Sequence, residues 1–107
     1  MDWGNVLNDM LAAAKKAAGN EWPTLSDYAQ HEFQTLADIA ARIKIRKDSG
    51  NLSEIDAEFM VGQYKAAAQS VLYAVQGMSK IVIQNAWNAA MDVLRTALNT
   101  ATGWSLL

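Results

Sequence analysis

A chain of 107 residues forms one domain at most, and its 9 basic and 11 acidic side chains give a net charge of -2. That balance leaves no basic footprint for nucleic acid and no polybasic anchor for anionic lipid. The absence of cysteine removes disulfides, thiol nucleophiles and thiolate metal sites, which fits a reducing compartment.

The hydrophobic share of 51% contains 19 alanines, so helices form easily while each buries little area. A chain of this size covers roughly two-thirds of the surface its unfolded form exposes. Asp2 and Asp9 precede the first lysine, in place of the basic start and apolar run of a signal peptide, so a cytoplasmic location is expected.

The first element runs from about Trp3 to Ala18. Asp2 stands as its N-cap, and Lys15 and Lys16 precede Gly19, complementing the helix dipole where the helix stops. Trp3, Val6, Leu7, Met10, Leu11, Ala14 and Ala18 recur at helical spacing on one face. The second element runs from Thr24 to about Lys47, with Thr24 as N-cap and Asp27 three residues on as a short-armed capping box. Its acids lie early and its bases (Arg42, Lys44, Arg46, Lys47) late, as the macrodipole favours.

Glu32 interrupts the apolar series Leu25, Ala29, Leu36, Ile39, Ile43 of that second helix, next to the only histidine, His31. The alternative series Ala29, Phe33, Leu36, Ala40, Ile43 puts Phe33 in the core place and leaves Glu32 at the boundary, half solvated, which is the expected arrangement. A carboxylate pointing inward would instead need a partner, a proton or a metal.

The stretch "KDSGNLSEID" turns the chain: Gly50 can take a positive φ, Ser53 caps a new helix with Asp56 at N3, and Leu52 is placed for a hydrophobic staple. So short a turn makes the flanking helices an antiparallel hairpin. From Ser53 to Leu107 there is no proline, and the stripe Val61, Tyr64, Ala68, Val71, Val75, Met78, Val82 keeps phase through Gly77. The spacing predicts one helix over 53–102, far longer than a compact domain of this size, and the alternative is a break around "VQGMSK", where Gly77 weakens the helix and Ser79 can cap a new one. Trp87, Met91, Leu94 and Leu98 add a second apolar side to its C-terminal part.

The expected architecture is therefore all-α. An antiparallel hairpin carries a very long C-terminal helix, completed as a bundle by oligomerisation, most simply as a two-fold dimer of the chain with itself. Its expected interface comprises Trp87, Met91, Leu94, Leu98, Val71, Val75, Met78, Val82 and Trp104, the last from the apolar end "GWSLL", which either caps the bundle or docks onto a neighbour.

Chemistry is sparsely signalled. No glycine-rich phosphate loop or nucleotide motif occurs, and any Ser-His-Asp arrangement would have to use His31 without a strand-to-helix elbow. The bundle architecture resembles ferritin-like half-bundles, which would imply a carboxylate metal site. His31, Glu32, Glu54 and Glu58 are the candidate ligands, although the Glu-x-x-His pair of such sites is missing. Between Ala66 and Met91 the only charge is Lys80, a length that could span a bilayer, but seven amide and hydroxyl side chains interrupt it, so a membrane-associated protein is the second alternative. The leading expectation is a non-enzymatic interaction protein, structural or regulatory, with no cofactor and no catalytic residue.

Overall fold

Asp2 begins the folded chain by accepting from the Gly4 and Asn5 amides at 2.9 and 3.3 Å, and this cap starts α1, Trp3–Ala18. The computed structural model describes all residues 1–107 and contains helices only. Gly19, at φ 58°, closes α1 through its amide to the Lys15 carbonyl, where a side chain would be strained.

A single 3-10 turn, Gly19–Glu21, feeds directly into α2, Trp22–Asp48. The helix thus starts two residues before the expected cap at Thr24, which lies inside its first turn. Pro23 permits this, because its fixed φ suits a first helical turn and that position has no intrahelical use for an N–H. After Gly50, at φ 73°, Ser53 caps α3, Glu54–Tyr73, by accepting from the Asp56 amide at 3.1 Å.

The chain departs most from expectation at the end of α3. Instead of one helix over 53–102, α3 stops at Tyr73, residues 74–79 turn, and α4 occupies Lys80–Thr102. Gly77 takes φ 83°, the left-handed region open to glycine at little cost. Lys80 Nζ donates to the Tyr73 carbonyl, satisfying a free acceptor at the end of α3. Across 58 residues, the Glu21 carboxylate accepts from the Ser79 amide at 3.3 Å and so serves the open N-terminus of α4.

The energetic reason for the break is the second apolar side of α4. A straight helix over 54–102 would reach roughly 73 Å, whereas the molecule's longest dimension is 44 Å. Turning back lets α4 lie along α1, its principal partner, and buries Ile83, Trp87, Met91, Leu94 and Leu98 within the chain. At about 1.5–3 kcal/mol each, these five side chains contribute on the order of 10 kcal/mol. The few helical hydrogen bonds lost at the turn cost about 1 kcal/mol apiece. The in-phase stripe through Gly77 is outweighed, and only Val61, Ala68 and Val75 of it are buried, while Tyr64 and Val71 face solvent.

The core is one cluster shared by all four helices. Helices α1, α2 and α4 pack on one another, and α3 lies mainly against α2, with lighter contact to α4. Phe33 and Trp87 meet near the centre, ring centroids 6.3 Å apart and planes tilted by 46°.

Gly77→Ala separates a turn from a continuous helix by the sign of its effect. No atom lies within 4 Å of the position a Cβ would take there, so backbone conformation alone decides the outcome. At a positive φ the substitution costs about 1–2 kcal/mol and lowers Tm by several degrees. Inside a continuous helix it would instead raise stability by about 1 kcal/mol. A thermal melt of the two proteins reads the difference, and a raised Tm would contradict the turn.

Candidate interaction surface

Helix α3 differs from its neighbours in what it shows to solvent. The buried positions Ala57, Val61, Ala68 and Leu72 form its inner side. At 3.6 residues per turn, Ile55, Phe59, Gly62, Ala66 and Ser70 fall within an arc of roughly 80° on the opposite side, and all five are exposed. Ile55 is 78% and Phe59 68% exposed. Tyr64 and Val71 are exposed as well, roughly 120–180° around the helix from Ile55 and Phe59.

The fully exposed charges lie at the ends of this surface, and the half-buried Lys65 is the one charge along its flank. Every exposed position from Phe59 to Ser79 is uncharged, whereas the exposed positions of α2 include Asp27, Asp38, Arg42 and Arg46, and those of α4 include Lys80, Asp92 and Arg95. Glu54, Asp56 and Glu58 are exposed at the α3 N-terminus, and the Lys80 ammonium sits on the Tyr73 carbonyl at its C-terminus. A helix that is apolar outside as well as inside retains a surface that water does not favour.

The residues expected at a subunit interface are distributed differently. Trp87, Met91, Leu94, Leu98 and Val75 are buried in the chain's own core, and Met78, Val82 and Trp104 are partly buried against it. A contact between chains through the buried five would require the core to open, because folding α4 back gives them partners within the chain. Of the nine, only Val71 is exposed. Ile55 and Phe59 were missed because they lie off the Val61 to Val82 stripe; large apolar residues opposite a core stripe are the signal that points to them.

The end "GWSLL" folds back on its own bundle. Gly103, at φ 74°, ends α4 through its amide to the Asn99 carbonyl. The Leu106 amide then donates to Asn99 Oδ1 at 2.7 Å, and the Leu106 side chain is buried. Lys47 Nζ lies 5.7 Å from the centroid of the Trp104 ring, tying the tail to the end of α2.

Of the four candidate metal ligands, the structure brings together two. His31 Nδ1 donates to Glu32 Oε2 at 2.7 Å, while Glu54 and Glu58 are exposed at the start of α3. Nowhere do three His, Asp or Glu side chains converge as a metal site requires. Phe33 takes the core place in α2, together with Ala29, Leu36, Ala40 and Ile43, and Glu32 lies beside that row with 15% of its side chain exposed. Glu32 is thus more covered than the half-solvated boundary position expected of it, and its partner His31 is 80% exposed.

Two shallow clefts lie on α3 itself, at Gln69, Ser70 and Tyr73 and at Gln63, Tyr64 and Ala67, and two larger open ones lie between helices. One of about 620 Å³ lies between the start of α2 and the end of α3, where Thr24 and Tyr28 face Val71, Ala74, Val75 and Gln76. This pairing of the start of one helix with the end of the other is the antiparallel arrangement of α2 and α3. The second, about 690 Å³, runs between α1 and α4 and carries Asp9 and Asp92, the latter paired with Arg95. No helix is long and apolar enough to cross a membrane. No protein-family model, curated protein or solved structure matches the chain.

The Glu32 geometry generates a specific expectation. An ion pair with one largely solvated partner contributes about 1 kcal/mol or less, so Glu32→Gln shifts stability by no more than that. The melting temperature of either protein stays unchanged on adding Fe(II) or Mn(II). A metal-dependent rise that Glu32→Gln abolishes would contradict this arrangement and favour the carboxylate metal bundle.

Proposed function

We propose that this chain is a non-enzymatic helical association module, structural or regulatory in role, that works by self-association. The observation that supports this reading is the outward face of α3, with Ile55 and Phe59 mostly exposed and no charge at the exposed positions from Phe59 to Ser79. Scattered exposed apolar residues are ordinary on any protein. Four of the eight exposed large hydrophobics fall on this one helix, however, and two of them, Ile55 and Phe59, stand one turn apart on its outer side, the spacing by which a helix presents apolar anchors to a partner.

The sole histidine is paired with a neighbouring carboxylate, and the two larger clefts are open and lined by hydroxyl, amide, carboxylate and apolar groups. The reading retains the dimer expected from the sequence and moves its contact from α4, whose apolar residues are satisfied within the chain, to α3. It pictures a folded protomer that associates without opening its core.

Light scattering after size exclusion tests it. The protomer mass is 11.7 kDa. The weight-average mass should rise above that value as the protein is concentrated, and Phe59→Glu should return it to the protomer mass without loss of helicity. A mass that stays at 11.7 kDa up to the high micromolar range would overturn the reading.

A further inference from the structure

The α3 face has a polarity along its length that identifies what covers it. We propose that its occupant is the α3 of a second copy of this chain, packed antiparallel about a two-fold axis that passes near Gln63 and Lys65. The proposal rests on the association reading above and specifies its geometry. Three features of the face favour this occupant over an unrelated helix.

The first is charge. The N-terminal end of α3 exposes Glu54, Asp56 and Glu58, and the C-terminal end holds the Lys80 ammonium against the Tyr73 carbonyl. Antiparallel pairing sets the acids of each helix beside the lysine of the other, twice, by symmetry. Parallel pairing would stack three acids on three acids at one end, a larger like-charge juxtaposition than the single approach of Lys65 to its copy beside the antiparallel axis.

The second is shape. Large side chains, Ile55 and Phe59, occupy the N-terminal half of the face, while Gly62, Ala66 and Ser70 run through its centre and C-terminal half. A two-fold axis near residue 64 places Gly62 of one helix opposite Ala66 of the other, which lets the backbones approach closely at the crossing. Phe59 then enters the space above the small residues near Ser70, and Ile55 reaches Tyr73, which is partly exposed. Large against small, repeated by the symmetry, is the complementarity that ridges and grooves require.

The third is the outward face itself, which the chain's own fold leaves uncovered along its length. The α3 helix of 20 residues offers a contact roughly 30 Å long. One helix–helix contact lies at the small end of interface sizes, so the pair is reversible, with Kd on the order of micromolar.

A cysteine-free chain permits a direct geometric test. Gln63 lies near the axis at the edge of the face, so Gln63→Cys should form a disulfide-linked dimer under mild oxidation. Ser70→Cys, on the same face but far from the axis, should link at least roughly tenfold more slowly, because an antiparallel partner holds its copy out of reach. Asn88→Cys on the exposed side of α4 supplies the rate of chance collision. Light scattering on the parent protein accompanies each measurement.

Fast linkage at position 63 alone supports the antiparallel pair. Equal linkage at 63 and 70 means a parallel pair and overturns the proposal. If neither exceeds the Asn88→Cys control while the parent mass is dimeric, the copies meet elsewhere: this geometry fails and the association reading stands. Absence of linkage together with a monomeric mass removes both.

Discussion

The turn from Ala74 to Ser79 decides which surfaces this chain buries. With it, α4 returns along α1 and supplies the large residues the alanine-rich helices lack, Trp87 above all, which meets Phe33 of α2 in the common core. Without it, those residues would lie on a projecting helix with no partner in the same chain. Several separate features hold the turn: Gly77 supplies the positive φ, Lys80 closes the end of α3, and Glu21 reaches the Ser79 amide from the far side of the sequence. The link from Glu21 ties the α1–α2 connection to the α3–α4 connection.

Much of the fold was legible because it is encoded locally. The caps at Asp2 and Ser53 and the stop at Gly19 depend on side-chain oxygens and a glycine within a few residues of each helix end, and the structure uses each of them. The core place of Phe33 was legible as well, since the apolar series in α2 closes without Glu32 only when Phe33 is included. The break at Gly77 was not legible from periodicity. A stripe in phase on both sides of a glycine describes a straight helix and a folded one equally, and the choice is made by distant burial, chiefly of Ile83, Trp87, Met91, Leu94 and Leu98.

The same misreading displaced the candidate interface. Large apolar residues on α4 look like an excess when the helix projects alone, and become the chain's own core once it folds back. The apolar surface left uncovered within the protomer lies on α3, which touches mainly α2. Ile55 and Phe59 have no such explanation within the protomer, since burying them would require a further helix that four segments do not supply. A core built from three mutually packed helices and one lateral helix therefore accounts both for the burial within the unit and for the outer side of α3 that it leaves uncovered.

Amide hydrogen exchange followed residue by residue tests the central claim most directly, because it reads the break itself. In the folded-back chain, amides in the middle of α3 and α4 exchange slowly, while those of Gln76, Gly77 and Met78, which take part in no backbone hydrogen bond, exchange at close to the rate of an open peptide. Unbroken protection from Val71 through Ile83 would mean one continuous helix and would contradict the account.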